Sequence, residues 1–133
     1  MRALRVLPGR YAVCRLEHGT AIPAPPSGSA GALWSVTRAP GEISLVCEER
    51  AAPSSARQVE RGWRALRLEG PIPFSETGVL LGLAAPLAAA GIPIFALSTY
   101  DTDLVLVRES DLGRALDALA ATHAVTRAEG GKA

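Results

Sequence analysis

The sequence predicts an α+β fold of two β-α-β-β modules in tandem, the first one trimmed. The sheet is antiparallel or mixed and carries its helices on one face. Three observations lead there: β-type runs closed by turn signals, one amphipathic helix that follows a strand, and an internal repeat.

Residues 10–16 (RYAVCRL) alternate between two faces and lie between Pro8-Gly9 and Glu17-His18-Gly19, which reads as a strand bounded by turns. Residues 21–31 (AIPAPPSGSAG) hold three prolines and two glycines, a composition in which no long helix survives. Residues 33–38 and 43–48 are two β-type runs around Ala39-Pro40-Gly41-Glu42, where Pro-Gly suits the centre of a type II turn. Residues 51–58 form another loop. The pattern then begins again with a strand over 63–68 and a turn at Gly70-Pro71-Ile72-Pro73.

A helix is predicted from Val79 to about Ala90, with Ser75 as N-cap, Val79, Leu80, Leu83 and Leu87 on one face, and Gly91 at C′. Pro86 removes one hydrogen bond to Gly82 and is expected to bend it. Residues 93–98 and 104–108 form a second hairpin. A last helix follows Ser110, carried by Leu112, Ala115, Leu116 and Leu119, and the tail over 126–133 reads as frayed.

The repeat orders these elements. Arg15-Leu16-Glu17 recurs as Arg67-Leu68-Glu69. Trp34-Ser35-Val36-Thr37 aligns with Phe95-Ala96-Leu97-Ser98, and Leu45-Val46-Cys47-Glu48 with Leu106-Val107-Arg108-Glu109. Trp34 and Phe95 are therefore expected at equivalent positions. The second copy has a helix where the first has the proline-rich loop. The modules are expected over 1–60 and 61–125. A unit of about sixty residues buries only about 60% of its unfolded surface, so two modules together ease that problem.

Composition narrows the function. With 14 Lys+Arg against 13 Asp+Glu the net charge is +1, and no basic stripe appears, which argues against nucleic acid and anionic membrane as partners. Cys14 and Cys47 lie in apolar runs outside any CxxC or Cys/His cluster and read as buried thiols of a reducing cytosol. The N-terminal residues are too short and broken a run for a signal peptide, and the greasy stretch 79–97 is interrupted by Gly82, Pro86, Gly91 and Pro93, so no membrane span is expected. His18 and His123 read as solvated surface groups. No metal set, cofactor motif or nucleophile–base pair is visible, so no enzyme, cofactor or metal is expected.

Two stretches are too polar for their places. Phe74-Ser75-Glu76-Thr77-Gly78, running into Val79, stands at the mouth of a helix, where unpaired N–H groups and a positive dipole end could take a carboxylate. Ser98-Thr99-Tyr100-Asp101-Thr102-Asp103 brings two carboxylates and four hydroxyls to a hairpin connection, where Asp101 or Asp103 could take an ammonium. Each stretch is equally what a plain helix start or a plain turn looks like.

At these residues the chain resembles the bacterial ACT-domain proteins of the CASTOR-like group. The resemblance is carried by Val59 to Leu66, by Glu69-Gly70-Pro71-Ile72-Pro73-Phe74-Ser75-Glu76-Thr77-Gly78-Val79-Leu80, by Ile94 to Asp103, and in the first half by Leu7 to Leu16 and Trp34 to Arg38. It implies tandem ACT-like (ferredoxin-like) modules that bind a free amino acid or similar small effector between modules and pass the signal on, without catalysis. It also implies a ligand site at Glu76, Thr77, Gly78 and Val79 with Asp101 or Asp103. The expected protein is a cytoplasmic sensor or regulatory module and a homodimer. The alternative is a structural or interaction module that keeps the fold without a ligand.

Overall fold

The computed structural model describes residues 1–28 and 31–127. In chain order its elements are β1 (Arg2–Val6), β2 (Tyr11–Leu16), β3 (Ser35–Ala39), β4 (Glu42–Glu48), β5 (Gln58–Leu68), α1 (Val79–Ala89), β6 (Ile94–Ser98), β7 (Asp103–Arg108), α2 (Leu112–Leu119) and β8 (His123–Arg127). They fall into two compact units: Arg10–Trp63, and Met1–Gly9 joined to the chain from Arg64 onward.

In the unit Arg10–Trp63 the strands pair antiparallel in the order β3–β4–β2–β5. Period-two alternation puts Ala12 and Cys14 on one face of β2, opposite Cys47 and Leu45 of β4, and all four are fully buried together. Among the described residues no helix connects β2 to β3. Trp34, Val36 and small side chains such as Ala51, Ala52 and Ala56 cover this face instead. Both cysteines are free. Burial pushes both thiols up, Cys47 to about 12 with Cys14 beside it, so each is a protonated core residue at neutral pH.

The second unit has strand order β6–β7–β5–β1–β8, with β8 parallel to β1 and β1 antiparallel to β5. Without β1 the succession β5-α1-β6-β7-α2-β8 is the β-α-β-β-α-β ferredoxin-like arrangement. Leu66 and Leu68 of β5, Val105 and Val107 of β7, and Leu4 and Val6 of β1 share one face, where Leu83 and Leu87 of α1 and Leu112, Ala115 and Leu119 of α2 bury against them. The helix α1 closes with a Schellman motif: Gly91 N–H donates to Ala88 O and Ile92 N–H to Leu87 O, both at 2.9 Å. Pro86 sits inside it, as expected. No helix among the described residues is long and apolar enough to cross a membrane.

Several expectations need correction. Residues 1–9 belong with the second module and not with a module over 1–60, because Leu4 and Val6 pair with Leu68 and Leu66 and complete its core. Thr126 and Arg127 are the end of β8, held by Arg5 and Val6, so the expected tail is ordered there; 128–133 lie outside the described residues. Leu80 of α1 is exposed, and the buried stripe is Leu83 and Leu87.

The hairpin alignment is one residue out. Ser35↔Val46 and Val36↔Leu45 in the first hairpin match Phe95↔Leu106 and Ala96↔Val105 in the second. Both close round two residues, Pro40-Gly41 after the pair Ala39↔Glu42, and Tyr100-Asp101 inside the 2.8 Å bond from Thr99 N–H to Thr102 O. Trp34 is thus the counterpart of Ile94, and each packs on its unit's core. A slip of one residue exchanges the two faces of a strand, which is why Phe95 is not equivalent to Trp34.

His123 is buried at 8% exposure and begins β8, contrary to the expected surface position. Burial, with the Arg2 guanidinium and the N-terminal ammonium nearby, holds its pKa below the ordinary value. The unfolded chain therefore binds this proton more readily than the folded one. Thermal denaturation is expected to show stability that is level above about pH 6.5 and declines as pH falls through the depressed folded value, with the decline flattened in His123→Gln.

Candidate functional site

The chain leaving β5 is tied to the tip of the β6–β7 hairpin. Thr102, buried at 4% exposure, donates its hydroxyl to Leu68 O at 2.8 Å, and Ile72 N–H donates to Asp101 O at 2.7 Å. A Cβ at Gly70 would stand 2.7 Å from that same Asp101 oxygen, so the close approach requires glycine here. Within the tip, Thr102 N–H donates to Thr99 Oγ1 at 3.2 Å. The segment then turns, with Glu76 N–H donating to Pro73 O at 3.0 Å, and enters α1. The N-cap of α1 is Gly78 in the left-handed region, φ 79°, and no side chain caps the helix. Ser75, expected to do so, lies in the preceding turn.

Two cavities flank this junction. The first, about 310 Å³, is lined from the helix approach by Ile72, Pro73, Phe74, Glu76 and Val79, and from the hairpin by Ser98, Thr99, Tyr100, Thr102 and Asp103. The second, about 330 Å³, is lined by Pro71, Ile72, Pro73, Phe74, Tyr100 and Asp101. Phe74 and Tyr100 line both; their ring centroids are 4.9 Å apart at an interplanar angle of 60°. Every lining residue belongs to the second unit.

The fold thus brings together seven expected residues, Glu76, Val79, Ser98, Thr99, Tyr100, Thr102 and Asp103, on the first cavity, and puts Asp101 on the second. Ser75, Thr77 and Gly78 line neither. Ile72, Pro73 and Arg2 were missed. The guanidinium of Arg2 forms an ion pair with Glu76, bringing β1 to the cavity wall. Its available signal was the alternation of residues 2–6 (RALRV), which reads as a strand. Asp103 accepts the Ser98 hydroxyl at 2.6 Å. The first cavity therefore offers two carboxylates, one of them ion-paired, and an aromatic wall, while the hydroxyls of Ser98, Thr99 and Thr102 donate within the protein. That set suits a small molecule with an ammonium group.

A family model described as ACT domain matches residues 58–121, and a second model, for an N-terminal domain, matches residues 9–55. A structural-genomics crystal structure of an Agobacterium tumefaciens protein is 38% identical, with a TM-score of 0.84, over 96% of this chain and 94% of that one. The Bos taurus protein named cytosolic arginine sensor for mTORC1 subunit 1 is 32% identical over 101 residues, 71% of this chain and 31% of its own length. The chain thus spans about a third of that relative. Aspartate kinase from Synechocystis shares the fold, with a TM-score of 0.64 at 14% identity, over 96% of this chain and 28% of that enzyme.

Gly70→Ala tests the junction. The added methyl meets backbone rather than a flexible side chain, so it is expected to cost about 1–3 kcal/mol in chemical denaturation and to loosen both cavities together. An unchanged denaturation midpoint would contradict the close approach.

Proposed function

Because the chain belongs to the ACT-domain family, we propose that it is a non-catalytic regulatory protein that binds a free amino acid, or a similar small effector, in the cavity at the start of α1. The observation that carries this reading is the cavity itself: Glu76 and Val79 share it with Ser98, Thr99 and Asp103. Its volume of about 310 Å³ is at the small end of the range for small-molecule sites, which suits a ligand the size of one amino acid. Asp103, oriented by Ser98, takes the ammonium. Backbone donors at the uncapped start of α1 take the carboxylate. A named relative that senses arginine supports the ligand class, and its description as cytosolic supports a cytosolic location.

A second reading, a module that docks a protein partner without a small ligand, is favoured by Phe74 and Tyr100, which are 76% and 82% exposed. Thermal-shift measurements with each proteinogenic amino acid separate the two. A ligand at a hundred times its dissociation constant stabilises by about 2.7 kcal/mol, a rise of several degrees in Tm. Asp103→Asn is expected to weaken that ligand by more than about tenfold while leaving unliganded stability nearly unchanged. No shift with any amino acid would contradict the ligand reading and leave the docking one.

The protein is also proposed to act as a homodimer. Support comes from β3 and β6, each hydrogen-bonded along one side to one neighbour, β4 and β7. Light scattering is expected to give twice the chain mass at micromolar concentration; a strict monomer at high micromolar concentration would contradict it.

A further inference from the structure

We propose that Arg2 sets the charge selectivity of the cavity at the start of α1, making it favour zwitterions over simple amines. This rests on the reading of that cavity as an amino-acid site. Arg2 opens β1, the strand inserted between β5 and β8, and is matched in the ladder with His123. The ladder with β8 holds the backbone at Arg2, and the ladder with β5 joins it from Leu4 onward. From there the guanidinium reaches Glu76, on the cavity wall, and forms an ion pair with it.

The charge around the cavity follows from this pair. Its walls include the carboxylates of Glu76 and Asp103 and no Lys, Arg or His side chain. Those two carboxylates alone would attract any cation and repel a ligand carboxylate. Arg2, outside the lining itself, compensates Glu76 and leaves Asp103 as the net anion, so a ligand carboxylate at the start of α1 does not meet an unpaired Glu76. An amino acid then gains at both of its charged ends, whereas the amine left by removing its carboxylate gains at one. The side chains of Arg2 and Glu76 are 33% and 38% exposed, so solvent screens the pair and the discrimination is a matter of several-fold.

Calorimetric titration at low salt with matched probes tests this: L-leucine against isoamylamine, L-phenylalanine against phenethylamine, and L-arginine against agmatine. The readout is the Kd of the amine divided by that of its amino acid. The folded protein is expected to favour the amino acid. Arg2→Gln lowers the ratio roughly fivefold, Arg2→Lys keeps most of it, and Glu76→Gln moves it the other way. A purely structural role for Arg2 would weaken both members of each pair alike and leave the ratio where it was. Circular dichroism monitors folding; if Arg2→Gln does not fold, Glu76→Gln carries the test. Binding of both members with an unmoved ratio in the folded variants would overturn the proposal while leaving the amino-acid reading intact. Failure of the unsubstituted protein to bind any of the six probes would overturn this proposal, and a failure extending to every proteinogenic amino acid would overturn that reading with it.

Discussion

The hydroxyl of Thr102 is the contact on which the site depends. It is buried, and it donates to the carbonyl of Leu68 at the point where β5 ends and the chain departs toward α1. A hydroxyl left without a partner in that position would be costly, so the hairpin tip is held against the end of β5. The backbone bond from Ile72 to Asp101 continues the same junction, and the absence of a side chain at Gly70 makes room for it. Phe74, Glu76 and Val79 take their places relative to Ser98 and Asp103 because these two segments cannot separate without stranding buried polar groups.

The inserted strand β1 does two things at once. Leu4 and Val6 add to the apolar face that receives both helices, and Arg2, two residues before Leu4 on the same face, reaches Glu76. The residues that stabilise the second unit and a charge that conditions its cavity thus come from one five-residue strand. The unit Arg10–Trp63 solves its own core differently. It covers a face of Ala12, Cys14, Leu45 and Cys47 with Trp34, Val36 and alanines, a thin cover that suits a connection in which proline forbids a helix.

Much of the fold was legible because its signals are local. The Pro40-Gly41 turn, the amphipathic run of α2 and the glycine that closes α1 each follow from a few neighbouring residues. The insertion of β1 was not, since a strand's place in a sheet is a tertiary matter and residues 2–6 pair with residues sixty or more positions away. β8 is hard to read for a related reason: it is five residues long, starts with a histidine and is mostly exposed, and its place comes from pairing with β1. The repeat pointed to two modules, yet matching Trp34 with Phe95 by ring chemistry chose the wrong register. The ladder shows that the position requires an apolar side chain of either shape, tryptophan in one unit and isoleucine in the other. At the site, the polar residues stood out in the sequence, and their apolar companions Ile72 and Pro73 did not, because they read equally well as an ordinary turn.

The family relationship and the cavity bear on function at different levels. The match to the ACT-domain model gives the fold, whereas the junction of residues 70–76 with residues 98–103 gives a cavity of about 310 Å³ lined by charged, polar and aromatic side chains. A pre-formed site of this kind requires the junction to hold in the absence of ligand. Amide hydrogen exchange of the free protein, read residue by residue by NMR, measures that directly through Ile72. If the junction is built in, the Ile72 amide is protected to a degree comparable with Leu87 and Ile92 in and beside α1. An Ile72 amide that exchanges as fast as those of the exposed loop residues Ser27 and Gly28 would contradict a pre-formed site.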